Sequence, residues 1–424
     1  MRVPYAALEG IHTADYVVIG AGFTGLSAAM RLAELNPKKT TVLLEACKVA
    51  EGPAGRNSGF MIDLPHVLTS SDYSGEESKD AAHIRLNRAG IDYAMQAQRT
   101  FNMPAEAIAQ NGKVNGAITS KGLQHNNSYA NYLKKMNEPF ERLNASAMNA
   151  ITGSDAYIDG IFTPGAAIIQ PAMYIRAFAD GVVSMNVQLY EQTPVLELER
   201  QGVDWLVTTP KGQVSCEKII LAVNGHLESF GFFKRQLMHV HTYASMTEKL
   251  SEAQVKRLGG RSEWAITPAD PLGTTVRRIS GCGGDRLIIR NRATYDPLLR
   301  ASTSWLKSIV RTHDQSFSDR FPMLADVSMA YRWGGRLCLS RNDVPVFGEV
   351  EPGLIAACCQ NGLGTAKGTI AGRLAADLAC GKTSELLKDI SAGPAAKKLP
   401  REPFASIGAT SYIRFGEWRA GKEL

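Results

Sequence analysis

The stretch from Ala14 to Glu45 constrains the fold of this chain more than any other, because it reads as one complete strand–turn–helix–strand unit. Asp15-Tyr16-Val17-Val18-Ile19 is an apolar, β-branched run of the kind that forms a buried parallel strand. Gly20-Ala21-Gly22-Phe23-Thr24-Gly25 follows at once as G-x-G-x-x-G. Gly20 permits the tight turn, Gly22 lets the backbone approach a pyrophosphate, and Gly25 allows the helix to pack closely on the strand. The spacing predicts a helix over 24–35 with Leu26, Ala29, Met30 and Ala33 on one side. A second apolar strand, Thr41-Val42-Leu43-Leu44, delivers Glu45 twenty residues beyond Gly25. Free N–H groups at the helix start, around Phe23 and Thr24, suit an anionic diphosphate, and Glu45 suits a ribose diol. A bare glycine motif is weak, but strand, helix, second strand and acid in register favour a dinucleotide site over an accidental turn.

The rest of the composition narrows the class. A length of 424 residues exceeds what one core usually supports, so two interleaved domains are expected. Net charge is only +6, and no Lys/Arg block or aromatic-basic stripe suggests a nucleic-acid groove. No apolar run is long enough to span a bilayer and no leader pattern opens the chain, so a cytoplasmic protein without a membrane partner is expected. The seven cysteines are scattered and odd in number, which fits a reducing compartment. No CxxC or HExxH is present, and His239 and His241, on one face of a strand, lack a third ligand, so no metal is expected.

Along the chain, residues 51–60 form a Gly- and Pro-punctuated loop, and long loops in compact domains are usually functional. Helical spacing covers 80–101, an Asn-rich mixed region runs to 149, an extended segment spans 161–171, and a helix follows over 172–183. A second nucleotide-domain block comes next: a strand at 187–191, a hairpin from 195–198 to 205–209, and a buried parallel strand at 218–223. That strand ends at Asn224-Gly225, which should lie near the dinucleotide because ligands bind outside the carboxyl ends of parallel strands. Between 237 and 309 the alternation is of the half-buried antiparallel type, with Leu287-Ile288-Ile289 the clearest strand. A last unit closes the chain: a strand at 353–359, the turn Gln360-Asn361-Gly362-Leu363-Gly364, and a helix over 365–378. This assigns 1–79, 155–235 and 336–395 to a discontinuous nucleotide-binding domain, 80–154 and 236–335 to a second domain, and 396–424 to a C-terminal segment.

Four features then form one pattern: GAGFTG with Glu45, the loop Gly55-Arg56-Asn57-Ser58-Gly59, Phe321-Pro322 through Ala330-Tyr331-Arg332-Trp333-Gly334-Gly335, and the Asn361-Gly362-Leu363-Gly364 helix start. A segment from Gly408-Ala409 to Glu417-Trp418-Arg419-Ala420 is similar too. Over essentially its whole length the chain resembles the D-amino-acid oxidase and glycine oxidase superfamily, most closely its gamma-glutamylputrescine oxidase-like branch. The resemblance implies FAD rather than NAD, and an α/β architecture of the glutathione reductase type 2 kind: a Rossmann-like FAD-binding domain with an interleaved antiparallel-sheet substrate domain. It implies oxidation of the C–N bond of a small amine or amino acid, with oxygen or another molecule taking the electrons. The Arg56-Asn57-Ser58-Gly59 loop would wrap the isoalloxazine ring, with Arg56 near its reactive face. Ala46 and Val195 complete the cofactor contacts. The helix after Gly362-Leu363-Gly364 would aim its positive end at the reduced ring. Lys367 either adds a full charge there or is simply solvated. Cys338 and the Cys358-Cys359 pair raise a cysteinyl-flavin bond, although free cysteine more often packs as a small hydrophobe.

In such a reaction a hydride leaves the α-carbon of a neutral amine, and the iminium product hydrolyses to an aldehyde or keto acid. Asp63 and His66, just past the loop, are candidates to hold or deprotonate the amine, or are turn formers of Asp-Leu-Pro-His. Arg277, Arg278, Arg290 and Arg292 make an arginine-rich region; either one or two of them, with Arg278 and Arg292 the candidates, grip an anionic group such as a carboxylate or phosphonate, or they are simply exposed arginines of a sheet. Sarcosine oxidases place an oxygen-activating lysine on the strand corresponding to Leu287-Ile288-Ile289-Arg290, which has none. Oxidase, dehydrogenase with a quinone or other acceptor, and non-catalytic flavin-binding or RNA-modification subunit therefore remain open.

Overall fold

The structure, a computed structural model, describes residues 4–65, 77–299 and 303–424. Its first sheet is built on five parallel strands in the spatial order Gln188–Tyr190, Thr41–Leu44, Gly10–Ile19, Gly212–Leu221 and Leu354–Cys358. The central ones are apolar on both faces, with Val17, Val18, Val42, Leu43 and Ile219 fully buried, as a parallel sheet covered on both sides requires. Antiparallel edges are added by the hairpin Glu197–Gln201 and Asp204–Thr208 and by Val346–Glu351. The fingerprint helix Phe23–Leu35 and the helix Ala366–Ala379 pack side by side on one face of this sheet. Their contact is close because Gly372 faces the Thr24 carbonyl, where a Cβ would lie 1.9 Å from the oxygen.

The second sheet has eight strands in the order Met329–Ser340, Leu237–Thr247, Arg286–Tyr295, Thr275–Ile279, Trp264–Pro268, Lys113–Ala117, Asp159–Thr163 and Glu141–Asn144. One pairing, Trp264–Pro268 with Lys113–Ala117, is parallel, and the others are antiparallel. Side chains alternate between faces along each strand. Val114, Ile266, Val276 and Ile289 point to one side and form a core with Phe317 and Phe321 of the helix Thr303–Arg320 and the residue that follows it. Ala265 and Arg277 point to the other side, where residues 59–64 cross the sheet: Gly59 lies against Arg277 and Phe60 packs with Ala265. Phe60–Met61 also pairs with Ala167–Ile169, fixing this crossing segment in a small third sheet.

The interleaved two-sheet architecture expected from the sequence is thus present, with shifted boundaries. Asp159–Thr163 and residues 336–340 belong to the second sheet, not to the nucleotide-binding domain. The helix Glu77–Thr100, expected in the second domain, packs on Ala366–Ala379 beside the first sheet. The end of the antiparallel region expected over 237–309 is helical, because Thr303–Arg320 begins there. The Asn-rich region contains the helices Ser120–Lys135 and Ala145–Thr152, each opened by a side-chain cap, Thr119 and Asn144 respectively. Among the described residues no helix is long and apolar enough to cross a membrane.

Candidate active site

The three fingerprint glycines meet three different surroundings. Gly20 sits at φ +101°, and a Cβ there would lie 2.7 Å from the Ala222 carbonyl oxygen. A Cβ on Gly25 would lie 1.7 Å from the Gly20 carbonyl oxygen, so this position is closed by the strand beneath it. Gly22 has an ordinary φ of −90°, and its Cβ would meet only the Ala54 Cβ at 3.4 Å. Two glycines are therefore needed by the protein itself, and the third leaves its outer side open. Beside them the Glu45 carboxylate accepts the Ala21 N–H at 2.8 Å and the Cys47 N–H at 2.9 Å. Burial raises its pKa against the pull of these donors, and each oxygen retains a lone pair for a hydroxyl. Ala46 is exposed next to it, and the Thr193 N–H bonds the Glu45 carbonyl at 2.8 Å, bringing half-buried Val195 to the same edge. Asn224, at φ +49°, accepts the Cys359 N–H at 3.2 Å, and Gly225 abuts the His239 ring. Both lie at the carboxyl end of Gly212–Leu221, next to the fingerprint turn.

The loop after Gly52 is held from within and from outside. The Asn57 amide donates to the Ala54 carbonyl at 2.7 Å and its oxygen accepts the Gly59 N–H at 2.8 Å. The Trp333 indole N–H donates to the Arg56 carbonyl at 3.0 Å, and Gly335 lies under the same residue, so the loop is clamped to the edge strand of the second sheet. The Arg56 side chain itself is exposed and makes no ion pair among the described residues. Beneath the loop, Arg277 is 5% exposed and donates to the Ser58 carbonyl at 3.1 Å. Its Nε has no partner and no carboxylate pairs with it among the described residues, and desolvation lowers its pKa to about 10. The turn at Gly362, φ +87°, joins the same region: Leu363 packs with Phe60, Ile62 and Ala265, and the Thr365 hydroxyl donates to the Phe60 carbonyl at 2.6 Å. Gly364 is half-buried between them.

Several sequence expectations change. Arg278 is not available for substrate: it is buried, paired with Asp285 at 2.9 Å, and donates to the carbonyls of Gly259 and Arg261. Arg292 is likewise committed, with Glu417 at 2.6 Å and the Thr312 hydroxyl as partners, and it ties the C-terminal helix to the sheet. Adjacent arginines on a strand face opposite ways, so Arg277 and not Arg278 reaches the loop. Asp63 is buried, pairs with Arg88 at 3.1 Å, and lines a cavity of about 310 Å³ with Glu138, Thr163 and Gly165. That cavity shares no wall with the Arg56 loop. His66 lies outside the described residues. Lys367 lines a small cleft with His83, Asn87 and Asp343; burial lowers its pKa, and Asp343 and Asp80 oppose the shift. Cys338, Cys358 and Cys359 are buried together in the core behind the first sheet. His239 is engaged by Glu228 at 2.8 Å, and no cluster of three metal-ligating side chains occurs among the described residues.

His241 was notable in the sequence only as half of a histidine pair. In the structure its ring packs 4.9 Å from that of Tyr243, 6.2 Å from that of Trp305 on the helix Thr303–Arg320, and against Gly334, on the opposite face of the strand from the Gly335 contact with Arg56. Its Nδ1 is buried without a partner, and desolvation lowers its pKa, so the ring is neutral near pH 7.

An uncrowded glycine at the fingerprint turn, an acceptor at the second strand's end and a clamped loop with one guanidinium group on it and one beneath it fit a flavin dinucleotide. The family model for FAD dependent oxidoreductases, DAO, matches residues 15–378. The chain belongs to this family. FAD is its cofactor, and Gly20, Gly22, Phe23, Thr24, Gly25 and Glu45 are residues that could hold its ADP portion. Similar proteins include probable oxidoreductase OrdL of Haemophilus influenzae, 25% identical over 90% of this chain and 86% of that one. Gamma-glutamylputrescine oxidoreductase of Escherichia coli is 25% identical over 96% of this chain and 94% of its own. Among solved structures, glycine oxidase from Geobacillus kaustophilus matches with a TM-score of 0.73 at 16% identity, over 88% of this chain and 96% of that one.

Proposed function

We propose that this flavoenzyme oxidises the C–N bond of a small primary or secondary amine or amino acid that carries an anionic group, giving an imine that hydrolyses to an aldehyde or keto acid while oxygen is reduced to hydrogen peroxide. The observation that carries the reading is the pair of guanidinium groups on and beneath one loop, Arg56 exposed and Arg277 buried, with no carboxylate partner for either among the described residues. A buried cation without an ion-paired carboxylate is costly even with the field of Glu263 opposing its desolvation, and a carboxylate or phosphonate brought to the loop would offset that cost. Gamma-glutamylputrescine and glycine, after which two relatives are named, are both amines, which supports the substrate class.

When bound, FAD supplies the two-electron acceptor for the amine's α-carbon hydrogen. The chain's own residues do the rest. Arg56 receives the anionic end of the substrate, and Arg277 keeps the loop positive through its bond to Ser58. Trp333 and Gly335 fix the loop against the sheet, so Arg56 is presented in one place.

A second reading, a dehydrogenase of the same substrates, is favoured by one feature: the strand Arg286–Tyr295 carries no lysine. Air separates the two, since an oxidase reduced anaerobically returns to the oxidised spectrum within seconds of mixing with oxygen and a dehydrogenase does not. Titration of the oxidised protein with a simple carboxylate such as benzoate tests the anion site. The flavin spectrum should shift saturably in the wild type and not in Arg277→Met; an unchanged shift in the variant contradicts the assignment.

A further inference from the structure

The C-terminal helix Phe404–Ala420 is apolar on two opposite sides. Ala405, Ile413, Glu417 and Ala420 are buried, and Glu417 holds Arg292 of the second sheet. Phe404, Ile407, Tyr412, Phe415 and Trp418 are each more than half exposed, and the Phe415 and Trp418 rings lie 5.7 Å apart. At about 100° per residue, Phe404, Ile407, Phe415 and Trp418 fall within one narrow stripe diametrically opposite the packed side. It is the outermost line of the helix, where water would select polar residues. The four large side chains fall on one line as two pairs two turns apart, Phe404 with Ile407 and the interacting rings of Phe415 and Trp418, and exposed apolar groups gathered on one side in this way mark an interaction surface.

Charge says what the patch meets. Over residues 393–424 the basic side chains Lys397, Lys398, Arg401, Arg414, Arg419 and Lys422 are all exposed, whereas Glu402 is the one exposed acid, Glu417 and Glu423 being buried. On the helical wheel Arg414, which bonds Glu417 at 2.8 Å, and Arg419 flank the aromatic stripe on its two sides. A second copy docking by a twofold axis would set this basic rim against itself, with one carboxylate per chain to answer it. An aromatic stripe with a basic rim is instead the composition of a helix lying in the headgroup region of a bilayer, rings toward the acyl chains and cations toward anionic lipid.

We infer that the Phe404–Ala420 helix seats the enzyme peripherally on an anionic lipid surface. The expectation of no membrane partner rested on the lack of a spanning segment, which does not bear on a helix in the interface plane.

The test uses the full-length, FAD-loaded protein and vesicles of phosphatidylcholine with about one-third phosphatidylglycerol, against phosphatidylcholine alone. The wild type should sediment with the anionic vesicles at least tenfold more strongly than with neutral ones, and about 0.5 M salt should remove most of the preference. Phe415→Ser with Trp418→Ser should lower partitioning at least tenfold while leaving flavin content and circular dichroism unchanged. Arg419→Gln with Lys422→Gln, at two exposed positions, should weaken it more than tenfold, since each basic residue near an anionic surface is worth roughly fivefold. Equal sedimentation with both vesicle types, or none, overturns the proposal. So does a wild-type dimer in light scattering that the Phe415/Trp418 variant splits, which would make the stripe an interface between copies.

Discussion

Replacing the second and third fingerprint glycines should damage different properties, and the structure says which. At Gly25 an added Cβ would lie 1.7 Å from the Gly20 carbonyl oxygen, a backbone atom that cannot swing away. Gly25→Ala should therefore destabilise the protein with or without cofactor, by about 3 kcal/mol or more, the upper range for overpacking. At Gly22 the backbone is extended, φ −90° and ψ −166°, and a Cβ meets only Ala54 at 3.4 Å. Valine favours that conformation, so Gly22→Val should leave the apoprotein within about 1 kcal/mol of wild type. Its methyl groups would stand where the diphosphate approaches. Losing two charge-assisted N–H bonds of roughly 1.5 kcal/mol each weakens FAD about a hundredfold. By mass action, FAD at about 100 times its dissociation constant stabilises the native state by about 2.7 kcal/mol, and after a hundredfold weakening by only about 0.4 kcal/mol. Urea unfolding of deflavinated protein with and without added FAD reads both quantities. A Gly22→Val protein that FAD stabilises as much as wild type, or one already unfolded without FAD, would refute the reasoning.

Other outcomes follow from the same geometry. Arg278→Met should cost about 3 kcal/mol of stability by stranding Asp285 and two carbonyls, and should leave the KM of an anionic amine unchanged once one is known; a selective KM effect would restore Arg278 to substrate binding. Glu45→Gln should weaken FAD by roughly tenfold through loss of a charged acceptor, read by flavin fluorescence on dilution, and undiminished retention would remove Glu45 from the site. Lys113 is buried, bonded to Asn115 and Thr267, with its pKa lowered by burial to about 8. Between pH 8 and its ordinary value near 10.5 the folded state has released this proton and the unfolded state still holds it. Stability should therefore rise with pH across that window relative to Lys113→Met, and parallel stability profiles for the two proteins would show that the lysine is not perturbed.

What the sequence made legible was whatever depends on local spacing. The fingerprint helix was expected over 24–35 and occurs at Phe23–Leu35, and the second strand falls on Thr41–Leu44 as read. The loop at Gly55–Gly59 and the turn at Gly362 were recognisable because each needs glycine where a side chain would collide or φ is positive. What was not legible depends on partners far along the chain. Whether Arg277 or Arg278 reaches the loop depends on which face of Thr275–Ile279 is covered by Thr303–Arg320, and an arginine pair carries no sign of that. Asp63 looked available until Arg88, on a helix read as another domain's, proved to hold it. The extended segment beginning at Ile161 was placed with the nucleotide-binding domain because apolar alternation does not name a strand's neighbours, here Lys113–Ala117 and Glu141–Asn144. The stripe of Phe404, Ile407, Phe415 and Trp418 escaped notice because a helix apolar on two sides has no clean periodicity.

The central claim is that this family member removes hydride from the α-carbon of an anionic amine, and one measurement addresses it directly. The oxidised protein is mixed anaerobically with amines, amino acids and aminophosphonates, each beside a neutral analogue such as the corresponding amide, and the flavin absorption band is followed. The account predicts that at least one anionic amine bleaches the band within seconds, that its neutral analogue does so far more slowly, and that Arg56→Met with Arg277→Met narrows that difference at least tenfold. Bleaching that ignores the anionic group, or that responds only to cationic polyamines, would contradict it.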